Sequence, residues 1–278
     1  MIQFNPTNIN ISNPTYFVLN PEKDTIAQTN RNMLNPIHLT ENLDSRLSSC
    51  YFLDLRNSTY LIRAISENRA DKNSGDKIRH QLSFMLKIHR KLHQLVADAG
   101  TDKFYYNDTG DGHVCLLWNE THAWTALQTA CTMASYLKTE LKEYNEGLLA
   151  EWSEELNAEL SLDFGMGIHS GGSMVYHDEN INRNFAYGIV INSAARVEAF
   201  SKHFKGLNIL FTKYFLQILE DQFELLDHAS KKGDWDMYRD KIKRVTGFRV
   251  EIKDGKSEGH SLYTIEDENW DFFSTIIK

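Results

Sequence analysis

Cysteine, proline and long apolar runs are all in short supply in this sequence. Of its 278 residues only 3 are Cys and 4 are Pro. Cys50, Cys115 and Cys131 are odd in number and lack C-x-x-C spacing, so they form neither a disulfide framework nor a zinc motif and read as ordinary thiols. The apolar runs are far shorter than a bilayer requires. The opening residues, MIQFNPTNINISNPTYF, lack the basic head, apolar middle and small-residue cleavage site of a secretory signal. The expected location is therefore the cytoplasm, with no membrane partner. Positive charge is also lacking: 30 Lys and Arg against 38 Asp and Glu leave a formal charge of -8. That balance argues against nucleic acid gripped along a broad basic face, so any phosphate has to be held locally. What is present, 41% hydrophobic and 24% charged residues, is the composition of a globular chain long enough to bury a real core.

Common catalytic signatures are missing as well. G-x-x-x-x-G-K-[ST], H-E-x-x-H and G-x-S-x-G do not occur. Gly165, Gly167 and Gly171 give G-x-G-x-x-x-G, one residue off the dinucleotide fingerprint and without its ribose-binding acid.

Residues 1–48, rich in Asn, Thr and Pro, read as an N-terminal extension, and 49–278 as the folded domain. Tyr51 to Leu53 predict a buried strand ending at Asp54. From Ile78 to Ala99, Ile78, Leu82, Met85, Leu92, Leu95 and Val96 predict an amphipathic helix stopped by Gly100. Phe104 to Tyr106 and Val114 to Trp118 predict a hairpin around Asn107-Asp108-Thr109-Gly110-Asp111-Gly112. A second helix runs from Trp124 through Leu141, and the acidic stretch to about Glu159 continues it as a solvated insertion. Leu160 to Ile168 is a strand broken by Gly171-Gly172, and Tyr176 to Arg183 a surface loop. A helix over Ile189 to Phe200, a strand over Asn208 to Phe211 and a helix over Tyr214 to Leu219 follow. Beyond them lie a charged segment, Lys231 to Lys243, and strands at Phe248 to Ile252 and Ser261 to Ile265. The fold class is α+β, a mainly antiparallel sheet covered by helices.

Two acids at strand ends, Asp54 in YFLDLRNST and Asp111 in NDTGDGHV, carry the strongest chemical signal. Carboxylates brought together by neighbouring strands can hold two Mg²⁺ ions, hard cations that complete their shells with water and phosphate. Taken singly, an Asp after a strand is more often a cap or turn residue. Asn57, Ser58 and Thr59 open the next helix, whose unpaired N–H groups suit a triphosphate. Asn192 and Arg196 stand at i and i+4 on one helical face, an amide and a guanidinium suited to a ribose and a phosphoryl transition state. Standing alone, that pair reads as a surface Asn and a salt-bridged Arg. His169, a lone His at a strand end, is more often packing than a ligand.

Together these segments resemble the class III nucleotidyl cyclases, the family of adenylate and guanylate cyclases. FLDLRNST and TGDGHVCLL look like its two metal segments, FGMGIHSGG like its central strand, and AYGIVINSAARVE like its G-x-x-V-N-x-A-A-R-x-E helix. The resemblance implies a ferredoxin-like class III cyclase catalytic domain. Asp54 and Asp111 would hold two Mg²⁺ or Mn²⁺ per site, with the Leu55 carbonyl as a further ligand. Asn192 would orient the ribose and Arg196 stabilise the α-phosphate. It also implies a homodimer with shared active sites, because the acids and the Asn-Arg pair come from different domains in this family.

At the family's base-reading positions stand Asn107, three residues before Gly110, and Phe185, seven before Asn192. Neither is charged; an Asn amide matches a uracil or cytosine edge, and a Phe crowds out a purine. In this the chain is similar to the pyrimidine (uridylate or cytidylate) cyclases of bacterial Pycsar anti-phage defence, which implies UTP, or else CTP, as substrate. It further implies a cyclic nucleotide messenger read by a separate effector protein. An alignment shifted by one residue would set Tyr105, Tyr106 or Tyr187 against the base and allow an adenylate or guanylate cyclase. An inactive nucleotide-binding module is the remaining alternative. The family's C-terminal phosphate-contacting Lys is assigned to Lys256, with Lys253 and Arg249 as rivals.

Overall fold

The computed structural model describes residues 43–67, 73–178, 183–204, 206–226, 233–245 and 261–274. Lys256, its rivals Lys253 and Arg249, and the strand expected over Phe248 to Ile252 lie outside these described residues. In chain order the elements are β1 (Leu43–Arg56), α1 (Ser58–Glu67), α2 (Ser74–Ala97), β2 (Phe104–Asp108), β3 (Gly112–Leu117), α3 (His122–Tyr144) and α4 (Ala150–Leu156). They continue with β4 (Asp163–Asp178), β5 (Arg183–Tyr187), α5 (Ile189–Ser201), β6 (Ile209–Thr212) and α6 (Lys213–Asp221). The last are α7 (Trp235–Arg239), β7 (Ile242–Val245), β8 (Leu262–Ile265) and α8 (Trp270–Ser274).

Among the described residues eight strands form one sheet in the order β2-β3-β1-β4-β6-β8-β7, with β5 paired to β4 outside this path. Every pairing is antiparallel except β4 with β6. The expected α+β architecture is thus the observed one. β1 begins at Leu43, so residues 43–48 belong to the sheet.

Alternation along β1 sorts its side chains between two faces. Tyr51, Leu53 and Leu55 enter the main core, which contains Trp124 and most of the other helical residues. Cys50 and Phe52 join a second apolar cluster with Val114, Leu116, Val175 and the α5 residues Val190 and Ala194. Asp54, in phase with Cys50 and Phe52, therefore lies on the face covered by α5.

Several expectations are corrected. In α2 the buried stripe is Lys77, Gln81, Met85, Ile88, Leu92 and Val96, while Leu82 is exposed. Of its two polar members, Lys77 pairs with Glu155, and Gln81 accepts from the Tyr144 hydroxyl at 2.9 Å while its buried Nε2 has no hydrogen-bond partner. The acidic segment after Leu141 is not simply solvated, since Tyr144, Leu149 and Trp152 are buried in the main core. Gly171-Gly172 do not break β4, because both stay paired with β1, opposite Ser48 and Leu47. The stretch taken for a surface loop carries strand at both ends, with Tyr176 opposite Phe185. In the charged segment α7 buries Tyr238 completely.

Three histidines buried among the described residues stay neutral. Burial lowers the His113 pKa to about 3 and those of His122 and His169 to about 4. His169 shares a hydrogen bond with the Thr212 hydroxyl at 2.9 Å, the packing role expected for it. Among the described residues no helix is long and apolar enough to cross a membrane.

A tight seam forms where α5 lies on β4. A β-carbon on Gly167 would collide with the backbone nitrogen of Glu198 and the carbonyl oxygen of Ala194, and one on Gly165 would meet Arg56 Nη2 and Ser201 Oγ at 2.5 Å. The G-x-G spacing serves helix docking rather than a dinucleotide. Gly167→Ala is expected to destabilise the fold by about 3 kcal/mol in urea unfolding, because backbone rather than a flexible side chain must move. Gly171→Ala, whose β-carbon finds its nearest neighbour at 3.5 Å, is expected to cost less than about 1 kcal/mol. Equal costs would contradict the seam.

Candidate functional site

Asp54 and Asp111 meet because β1 and β3 are paired. Gly112 stands opposite Asp54, and a β-carbon there would strike the Leu53 carbonyl, so only Gly lets the hairpin approach β1 so closely. Gly110, at φ +99°, makes the preceding turn. The Leu55 N–H donates to the Asp111 carbonyl at 3.0 Å and fastens the hairpin tip to the strand end. From α2, His89 braces the same tip through Asp108 Oδ1 and the Gly110 carbonyl, each at 3.1 Å.

Between strand and helix, Asn57 adopts φ 66°, a left-handed conformation that Asn tolerates well. This turn starts α1 beside the acids. Ser58 Oγ donates to Asp111 Oδ2 at 2.6 Å, so the Ser hydroxyl orients the carboxylate. Asn57, Ser58, Thr59, Asp54, Leu55 and Asp111 all line one open pocket of about 660 Å³. Of the site residues expected from sequence, these six are brought together.

Lys202, which the sequence did not single out, also lines this pocket and reaches toward Glu198, the last residue of the AYGIVINSAARVE segment. Lys202 Nζ lies 2.8 Å from Asp54 Oδ2 and 3.9 Å from Glu198 Oε2. Burial disfavours the Lys202 ammonium, yet its hydrogen bond to Asp54 and the nearby Glu198 charge raise its pKa above the usual lysine value. Glu198 is 3% exposed, and its Oε1 is buried without a hydrogen-bond partner. Desolvation pushes its pKa up to about 7; Lys202 and Arg56 oppose the rise, whereas Asp54 and Asp111 add to it. The available signal was spacing: Glu198 and Lys202 stand at i and i+4 on the helical face of the buried Ala194.

Asn192 and Arg196 are on that helix but on its other side, and both are exposed. At about 100° per residue, Arg196 stands about 160° and Asn192 about 120° around the axis from Glu198. The structure keeps them out of the Asp54 pocket of their own chain.

Asn107 and Phe185 also lie outside the residues lining that pocket. Asn107 is half-buried on β2, its Nδ2 donating to the Asp108 carbonyl at 3.0 Å. β5, which carries Phe185, comes within 8 Å of β2, counted between Cα atoms. The Phe185 ring packs beside Tyr176 at 6.3 Å. Ala186 instead shares the second apolar cluster with Tyr105, so Phe185 occupies the opposite side of the β4–β5 ribbon.

The donor chemistry decides whether a divalent cation suits this pocket. Asp54 and Asp111 present hard carboxylate oxygens to one cavity, and Asp54 already accepts a cation in the form of the Lys202 ammonium. Among the described residues no group of three or more His, Cys, Asp or Glu is gathered as a complete cage. Mg²⁺ does not require one, since one or two carboxylates with water and substrate phosphate suffice. The residues fit Mg²⁺ or Mn²⁺.

No protein-family model matches the sequence, and no curated protein matches it. The fold has clear counterparts among solved structures. The chain is similar to the guanylyl cyclase Cya2 at 15% identity and a TM-score of 0.50, over 80% of this chain and 92% of that one. It is likewise similar to a bacterial light-regulated adenylyl cyclase at 14% identity and a TM-score of 0.50, over 86% of this chain and 59% of that one. The architecture is that of a cyclase catalytic domain.

The raised pKa of Glu198 has a signed consequence. Its carboxyl binds its proton more tightly folded than unfolded, so its contribution to stability is full below about pH 4.5 and is lost as pH rises through about 7. Glu198→Gln is therefore expected to melt higher than wild type at pH 8 and to lose that advantage at pH 4.5. A difference independent of pH would contradict the assignment.

Proposed function

We propose that the chain is a nucleotidyl cyclase that converts a pyrimidine nucleoside triphosphate, UTP in preference to CTP, into its 3′,5′-cyclic monophosphate and pyrophosphate. The observation that carries this reading is the pocket itself: Asp54, Asp111 and the start of α1 share one cavity in a cyclase catalytic domain fold. Asp54 and Asp111 would hold two Mg²⁺ or Mn²⁺, with the Leu55 carbonyl as a further ligand. When bound, such ions offset triphosphate charge and lower the pKa of a ribose hydroxyl.

The remaining work falls to the chain's own groups. The N–H groups of Asn57, Ser58 and Thr59 suit the triphosphate at the helix start, while Ser58 keeps Asp111 oriented. Ring closure forms the bond from the ribose 3′-oxygen to the α-phosphorus and breaks the bond from that phosphorus to the bridging oxygen, which leaves with pyrophosphate, while the 3′-hydroxyl proton passes to solvent. Charge building on the α-phosphoryl oxygens calls for Arg196, and the ribose for Asn192. Because these two face away from their own chain's acids, they would serve the acids of a second copy, and the enzyme would be a homodimer with two shared sites. A monomer would lack activity.

The pyrimidine assignment rests on the uncharged pair Asn107 and Phe185, whose strands approach each other. With it we propose a cytoplasmic role in anti-phage defence, the cyclic product being read by a separate effector. A second reading, an adenylyl or guanylyl cyclase, is favoured by one observation: Phe185 lies on the opposite side of its ribbon from the small Ala186, which clusters with Tyr105.

Incubation with Mn²⁺ and an equimolar mixture of ATP, GTP, CTP and UTP, read by mass spectrometry, tests the reading. Cyclic UMP from wild type and none from Asp54→Ala is the expected result. Arg196→Ala is expected to lose on the order of a hundred- to a thousandfold in rate. Cyclic AMP or GMP would overturn the pyrimidine assignment and leave the chemistry standing. No cyclic product from any nucleotide would contradict the enzyme reading.

A further inference from the structure

Lys202 occupies a position that the cyclase chemistry does not explain. It follows the last turn of α5, and its ammonium sits on Asp54 Oδ2 at 2.8 Å, inside the pocket assigned to metal and triphosphate. Asp54 and Asp111 line that pocket, and the buried Glu198 lies 3.9 Å from the same ammonium. The other nearby cation, Arg56, is engaged elsewhere: Nη1 donates to Asp163 at 2.9 Å and Nη2 to the Ser201 hydroxyl at 2.6 Å. Among the described residues, Lys202 is thus the cation paired with Asp54.

We propose that Lys202 is a built-in counter-cation that competes with divalent metal for Asp54 and so sets the metal concentration the pocket requires. The inference rests on the reading of Asp54 and Asp111 as metal ligands. Two positive charges do not share one carboxylate oxygen at low cost, so a metal ion must displace the ammonium or bind more weakly. Displacement is structurally easy. The Lys202 side chain is 47% exposed, against 17% for Asp54, and its flexible four-carbon stem can swing to solvent without moving the helix. Glu198, one turn back at 3.9 Å, keeps the ammonium near the rim. In the metal-free chain the Lys also offsets repulsion among the acids, so the fold does not depend on metal to hold them together. The geometry makes Lys202 a removable occupant rather than a permanent block.

The test uses metal alone, with no nucleotide. Mn²⁺ is titrated calorimetrically into metal-stripped wild type, Lys202→Met, Lys202→Gln, Lys202→Arg and Asp54→Ala, after circular dichroism has shown each to be folded. Lys202→Met and Lys202→Gln are expected to bind Mn²⁺ about tenfold more tightly than wild type, the scale of a partly exposed ion pair. Lys202→Arg, which keeps the charge, should stay near wild type, and Asp54→Ala should lose the site. Unchanged or weaker binding in the Met and Gln variants, with Asp54-dependent binding intact in wild type, would overturn the proposal and leave the metal reading standing. Absence of Asp54-dependent Mn²⁺ binding in every variant would overturn both.

Discussion

The bare backbone contact between α5 and β4 is the constraint on which the rest of the site depends. With no side chain at Gly165 or Gly167, the helix settles directly onto the strand, and Ser201 and Glu198 come to lie against it. That depth fixes the rotation of the helix about its own axis. The turn bearing Glu198 and Lys202 is aimed at Asp54, and the one bearing Asn192 and Arg196 is turned outward. A helix lifted by the width of a methyl group would part the Lys202 ammonium from Asp54 and leave Glu198 beside a gap.

The second determinant is charge. A chain of formal charge -8 cannot gather phosphate on a broad basic surface, and here the acids themselves are clustered. Burial above all, with the charges of Asp54 and Asp111 adding to it, pushes the Glu198 pKa up to about 7. Lys202 offsets part of that charge from within the chain. A pocket lined by Asp54 and Asp111 beside the start of α1 offers carboxylate oxygen to cations and backbone N–H groups to anions.

Much of this was legible in the residues. Tyr51 to Leu53 ending in Asp54 read as a strand, the Asn107-to-Gly112 turn as a hairpin and Ile189 onward as a helix, because apolar periodicity and turn residues are local signals. Strand β4 was truncated in the sequence reading because Gly171-Gly172 look like a break, yet pairing with β1 on one side carries the ladder through them. The α2 stripe was misplaced because Lys77 and Gln81 are buried with partners distant in sequence, which periodicity does not register. The same blindness hid Lys202: an i and i+4 pair with Glu198 is visible, but its contact with Asp54 is a product of helix docking. Among the described residues, the part of the expected site that converges within one chain is Asp54, Leu55, Asn57, Ser58, Thr59 and Asp111; Asn192 and Arg196 lie outside that pocket, and their role beside a second chain's acids is our proposal.

If two copies share each site as we propose, chains defective in different halves should complement one another. Asp54→Ala and Arg196→Ala chains would be mixed, exchanged under mild denaturant and assayed for cyclic nucleotide beside each variant alone. Random pairing makes half of the dimers mixed, and each mixed dimer has one of its two sites built entirely from intact residues, so the mixture should recover about a quarter of wild-type activity. Activity no greater than the sum of the separate variants would contradict a site completed between two copies.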